Sequence, residues 1–231
     1  MGPWRRGRRL LSSETVKTVS EEEGYRSLRE EIVAGRFQPN ERLVEAALGE
    51  TFGLPRAVVR MALVRLEQDG LVERERYRGA KVRLVTGGEA VEILEARAAL
   101  EAMTARRAAA RITEGGAREL SAILARMQRA HDETQLIEMS ELNSALHAKI
   151  VEIGDSRTAS RLLTMLNSQV VRFQYRTILV PGRADASLTE HAAIVAAVTA
   201  GDTVGAEASM RDHLSRVTEA VERLASLPGG R

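Results

Sequence analysis

The sequence predicts a mostly α chain in two parts. An N-terminal winged helix-turn-helix, with three helices and a small β-hairpin wing, precedes an all-α antiparallel bundle of about six helices. Three observations carry this reading. Between Arg42 and Arg83, two helical stripes flank a turn at Gly53 and lead into two short alternating runs. Beyond Gly88 the apolar residues recur with a helical period, and no strand-like alternation follows. The charge divides at the same place: residues 1–83 hold 17 Lys+Arg against 13 Asp+Glu, net +4, and the remainder 17 against 19, net −2. A basic head on a slightly acidic body suits a nucleic-acid-binding unit joined to one that binds something else.

The expected boundaries are a basic tail at 1–20, the head at 21–85, a linker at 86–88, the body at 89–226 and a short tail at 227–231. The chain has no cysteine, which excludes a disulfide framework and a thiolate metal site. No apolar run approaches the length of a membrane span, so a cytoplasmic protein with no membrane partner is expected. In the tail, Trp4, Arg5, Arg6, Arg8 and Arg9 cluster without a following apolar region, unlike a signal peptide. The cluster adds non-specific phosphate attraction or is simply an untethered start.

Glu21 to Phe37 reads as the first helix, with Tyr25, Leu28, Ile32 and Val33 as its seam and Gly35 as its stop. Leu43, Ala46, Ala47 and Leu48 make a short second helix. Pro55 has the φ a helix needs in its first turn, and Val59, Ala62, Leu63 and Leu66 form a buried seam after it. Arg56 and Arg60, four apart, lie off that seam at the end of a recognition helix that reaches base edges. An arginine there can pair with both acceptors of guanine. Leu71–Arg76 and Ala80–Leu84 read as the wing strands, turning at Tyr77, Arg78 and Gly79. Lys81 and Arg83 extend the positive surface. The competing reading is a solvated charge run on a winged helix that binds protein.

These residues resemble the DNA-binding domain of the GntR family of bacterial transcription regulators. The similarity runs through Leu28, Ile32, Gly35, Pro39, Asn40 and Leu43, then residues 53–63 (GLPRAVVRMAL), then Gly70-Leu71-Val72 and Gly79-Ala80. It implies DNA contacts from Arg42, Arg56, Arg60 and Gly79, with Arg78 at the wing tip. Pro55, Ala57 and Met61 depart from the pattern, where Ser, Thr and Glu are usual; the first change removes a capping hydroxyl.

In the body, helices are expected at about 89–112, 116–134, 137–153, 156–180, 187–200 and 202–225, with breaks at Gly115-Gly116, Gly154-Asp155, Pro181-Gly182 and Gly201-Asp202. Several apolar faces carry polar residues. Arg97 shares a stripe with Ala90, Ile93, Leu94, Leu100 and Thr104, and Glu101 follows one turn later. Asn143 and His147, four apart, share a face with Met139, Leu146 and Ile150. His191 lies with Ile194, Val195 and Val198, and His213 with Met210, Leu214 and Val217. Burying such groups is costly without partners. A lone histidine on such a face is usually a satisfied core residue. Three on three helices, with an amide oxygen beside one of them, instead suggest a divalent first-row metal: Zn²⁺, Ni²⁺ or Mn²⁺. His131 reads as a surface residue.

The body resembles the FCD effector domain found in the FadR-type branch of GntR regulators. The residues are Glu95, Arg97, Leu100 and Glu101, then His147, then Glu190-His191 with Ile194, then Asp202, Ala206, Met210 and His213. The resemblance implies metal ligands at Asn143, His147, His191 and His213, and a carboxylate effector met by Arg97. Asn143 stands where Asp is usual, so the site has one negative charge fewer and should hold metal more weakly. Arg172 and Arg176 are candidates for extra charge toward an anionic effector, or ordinary surface arginines. The expectation is a homodimeric regulator, a repressor, that binds a near-palindromic double-stranded operator and responds to a small organic acid beside a divalent metal. The alternatives are a metal-free regulator whose histidines are structural, and a metal-dependent enzyme. Against the enzyme, no carboxylate base is evident beside the histidines.

Overall fold

A computed structural model describes residues 20–75 and 79–226, with the side chains at 75, 171, 172, 174 and 175 left out. The head consists of α1 (Glu21–Val33), β1 (Arg42–Leu43), α2 (Glu45–Phe52), α3 (Arg56–Gln68), β2 (Val72–Glu75) and β3 (Gly79–Val82). The body consists of α4 (Gly87–Arg111), α5 (Glu114–Asp132), α6 (Leu136–Gly154), α7 (Arg157–Ile178), α8 (Arg183–Thr199) and α9 (Thr203–Ala225). No helix among the described residues is long and apolar enough to cross a membrane.

Ser20, the last residue of the expected tail, caps α1 in a reciprocal box with Glu23: the Glu23 amide donates to Ser20 Oγ at 3.1 Å, and the Ser20 amide to Glu23 Oε2 at 2.8 Å. The helix ends at Val33, short of the expected Phe37, because Gly35 turns left-handed at φ 76°. Gly24 lets α1 and α3 close on each other; a Cβ there would lie 2.4 Å from Val58 Cγ1. Gly53, at φ 63°, makes the turn from α2 to α3. Pro55 stands one place earlier than expected, as the residue before α3, and supplies no side-chain cap.

The wing is a three-stranded sheet in the order β1-β3-β2. The short strand β1 was not anticipated. It pairs antiparallel with β3, Arg42 opposite Lys81 and Leu43 opposite Ala80. Ala80 and Val82 of β3 point inward, but Leu84, expected as the last residue of the strand, lies beyond it and is 40% exposed. The head's core is wholly apolar, with Leu28, Val59, Ala62, Leu63 and Leu66 at its centre.

The segment expected as a linker forms the start of α4. Thr86 is its cap, accepting from the Glu89 amide at 3.2 Å, and Gly87 and Gly88 belong to the first turn. Likewise Gly115 and Gly116, expected as a break, lie inside α5 because Thr113 caps it and accepts from the Gly116 amide at 3.1 Å. The helix α8 begins at Arg183, four residues early, after Gly182 turns at φ 75°.

The long helix α4 organises the body, packing most extensively against α9 and also against α6, α7 and α8. It runs from one apolar cluster at Ala90, Ile93 and Leu94 to another at Ala105, Ala108 and Ala109. Between them come Arg97, Glu101 and Thr104, all buried. That polar layer is where the histidines arrive.

Candidate metal centre and nucleic-acid interface

His147 of α6, His191 of α8 and His213 of α9 converge, with one ring nitrogen from each lying within 4.8 Å of the others. All three are buried. Each Nδ1 faces a carboxylate or carbonyl oxygen at its shortest contact, and the Ser187 hydroxyl lies farther off, 3.3 Å from that of His191. The Nδ1 of His147 bonds Glu101 Oε2, that of His191 the Ser187 carbonyl at 2.6 Å, and that of His213 Glu190 Oε2 at 2.7 Å. Each Nδ1 therefore carries the proton and donates, leaving the Nε2 lone pair for a ligand.

The Nε2 atoms of His147 and His191 lie 3.1 Å apart. With both Nδ1 positions protonated, two acceptors face each other, a repulsive arrangement that a cation between them relieves. Tetrahedral Zn–N bonds put nitrogens roughly 3.3 Å apart, close to this spacing. The donor set thus fits a divalent metal, and the partners behind the rings are those that orient metal-bound imidazoles.

Burial holds His191 down at about 3, with the neighbouring His147 acting in the same direction, and pushes His213 well below the ordinary imidazole range. Neutral rings are the ligating form. Burial acts to raise the Glu101 carboxyl, but Arg97 and His147 outweigh it and hold it at about 2. Burial raises Glu190, against the pull of Arg183 and Arg216.

A cavity of about 40 Å³ opens beside the triad, lined by Arg97, Asn143, His147, Thr177, Arg183 and His213 among others. Arg97 and Asn143 therefore border the same space as two of the histidines. Arg176 is exposed and does not line it, and the Arg172 side chain lies outside the described residues. The second guanidinium at the cavity belongs to Arg183, which the sequence reading missed because it began α8 too late.

Glu101 and Glu190 are carboxylates beside the histidines, though neither stands where a base toward a ligand on the Nε2 side was sought. Both accept from Nδ1 atoms, behind the rings and away from the Nε2 side. Both belong to the residues that carry the FCD resemblance, and their spacing from Arg97 and His191 was the further signal. His131, expected at the surface, is three-quarters covered and bonds Asp185 Oδ1 at 2.7 Å, joining α5 to α8. Asp185 raises its pKa.

On the head, Arg56 projects from the first turn of α3 with its side chain 77% exposed; Arg60 follows one turn later, also exposed. Glu45 lies 3.5 Å and 3.7 Å from them. Such exposed pairs are worth little, and a phosphate or base edge can displace them. Arg42, Arg56 and Gly79 line one groove between β1, α3 and the wing. Arg74 of β2 joins them there; alternation puts it on the face of the buried Val72, so the strand pattern gave no sign of its exposure. Arg78 lies outside the described residues, as do the expected tails apart from Ser20.

A winged helix-turn-helix with arginines on its recognition helix, joined to an all-helical body with an internal polar cavity, defines a DNA-binding regulator class. The comparisons agree. The bacterial regulatory protein pattern of the gntR family matches residues 21–82, and the FCD domain matches residues 92–216. The chain belongs to the GntR family of transcription regulators, with an FCD domain as its body.

The HTH-type transcriptional repressor RspR of Escherichia coli is 28% identical over 200 residues, covering 87% of this chain and 88% of that protein. The HTH-type transcriptional regulator Rv0494 of Mycobacterium tuberculosis is 32% identical over 212 residues, covering 82% and 84%. Among solved structures, E. coli McbR/YncC has a TM-score of 0.75 at 18% identity, covering 88% of this chain and 97% of that one. At that identity the likeness shows the fold. These relatives are regulators, so the enzyme alternative falls away.

Proposed function

We propose that this regulator is a repressor that binds a near-palindromic operator as a homodimer and is re-set by a small carboxylate bound in the body beside a divalent metal. The observation that carries the metal and effector reading is the triad itself: three buried imidazoles with their Nδ1 atoms spoken for and one ring nitrogen of each within 4.8 Å of the others. His147, His191 and His213 would hold the ion, Zn²⁺ first and Ni²⁺ or Mn²⁺ next, with the Asn143 amide oxygen as a weaker fourth donor. When bound, the ion supplies a Lewis-acid site for an effector oxygen. Arg97 would meet the effector's carboxylate. Arg42, Arg56, Arg60 and Gly79 would contact DNA, and a dimer would read two half-sites a helical turn apart.

A route from effector to head is supported by α7. Thr177 and Ile178, near its C-terminal end, line the cavity. Gln169, eight residues earlier and so about 12 Å along the helix, grips the head: its amide donates to the Asp69 carbonyl at 3.0 Å, and its Oε1 accepts from Arg83 Nη1 at 3.0 Å. Arg83 in turn pairs with Glu89 of α4. An effector that binds one placement of α7 better than another shifts the head with it.

The test is metal content by plasma mass spectrometry, on protein purified without a tag or added metal. The expected result is near one equivalent per chain, lost in His191→Ala. A chain that carries no metal and takes none up on addition leaves the metal-free regulator as the reading.

A further inference from the structure

We propose that the effector is a small dicarboxylate, with one carboxylate on Arg97 and the other on Arg183. This rests on the reading of the cavity as the effector site and names the chemistry that would fill it. Among the described residues, three buried side-chain polar atoms lack a hydrogen-bond partner: Arg97 Nη1, Arg183 Nη1 and Asn167 Oδ1. Both guanidiniums line the same cavity, and both residues are at least nine-tenths buried.

Each arginine is anchored through one other nitrogen. Arg97 Nε donates to Glu101 Oε1 at 2.9 Å, and Arg183 Nη2 donates to Glu190 Oε2 at 2.9 Å. The anchoring sets each guanidinium plane and leaves Nη1 without an internal acceptor. Buried charged donors are rarely left so, and a carboxylate is the acceptor that a guanidinium matches best.

Nothing else on the wall competes for them. No Asp or Glu lines the cavity; the remaining polar lining is Ser140, Asn143, Thr177, Ser187 and the imidazoles. The two arginines come from different helices, α4 and α8, and each brings one unpartnered Nη1 to the cavity. A monocarboxylate meets one guanidinium and leaves the second unpaired. The cavity's small volume, about 40 Å³, selects a short carbon chain over a fatty acid.

The experiment is calorimetric titration of the full-length zinc-loaded chain with malonate and succinate, against acetate, butyrate and inorganic phosphate. A diacid should bind about tenfold or more tightly than the monoacid of similar length, the gain of one further charge-assisted pair. Arg183→Gln should abolish that preference, bringing the diacids to the affinity of the monoacids. Arg183→Lys, which keeps the charge against Glu190, should retain part of it, and thermal melts of both variants establish that they fold. Equal affinity for diacids and monoacids overturns the dicarboxylate and leaves the effector cavity standing. So does phosphate binding as tightly as the diacids, because a single-centre anion would then suffice. No binding by any acid overturns both.

Discussion

The head and the body bury opposite chemistries. The head's interior is apolar throughout, and none of the buried polar or charged side chains among the described residues belongs to it. Its charges stand outside, on α3 and the wing. The body places Arg97, Glu101, Arg183, Glu190 and three histidines between its apolar clusters. A surface that meets a large polyanion needs its charge in water, where salt and solvent moderate it. A pocket for a small ligand must hold its charges dry, where each one unpaired is expensive. Function and stability are therefore separable in the head and entangled in the body.

The largest test of that contrast is Glu101→Ala. It strands the Arg97 charge and strips His147 of its acceptor, so the metal-free body should lose about 3–5 kcal/mol of stability. Urea unfolding measures this, and a change below about 1 kcal/mol would mean that water reaches the layer. Arg56→Ala and Arg60→Ala make the opposite case. Each should cost operator binding about 1–3 kcal/mol with the melting temperature unchanged. A gel shift showing wild-type affinity would remove α3 from the interface.

Acid sharpens the comparison. His191 sits at about 3 in the folded chain, against an unfolded value of about 6.5. Between those values the unfolded state binds more protons, so the stability from the neutral ring is complete above about pH 6.5 and is lost as pH falls toward 3. His213, lowered for the same first reason, acts in the same direction. Glu101, held at about 2, adds a further loss below about pH 4.3. Hydrogen exchange on metal-free protein should therefore show the body opening before the head on acidification; simultaneous opening would make the two one cooperative unit. The smallest expected effect is Gln169→Ala, which removes the side chain bridging Asp69 and Arg83. It should cost about 1 kcal/mol, seen as faster exchange at Leu71 and Arg83 with the body's core unchanged.

How much of this was legible follows from how far each signal reaches along the chain. The seam of α3 is a local period, and Val59, Ala62, Leu63 and Leu66 are all buried as that period requires. The histidines were legible because a polar residue inside an apolar stripe contradicts its own helix. The strand β1 was not, since two residues carry no alternation and its partner lies almost forty residues on. The helix starts at Gly87, Glu114 and Arg183 were obscured by glycines, which side-chain and turn capping overrode.

The sequence by itself determined the head, the helical body and the presence of Arg97, His147, His191 and His213 on inward faces, because helical periodicity and residue chemistry are local properties. Only the tertiary structure decided that Glu101 and Glu190 stand behind His147 and His213, that Arg183 faces the cavity while Arg176 does not, and that Gln169 ties the body to the head. Those pairings depend on the rotation and depth of helices packed against one another. A shift of one residue turns a helix by about 100°, enough to exchange an inward arginine for an exposed one.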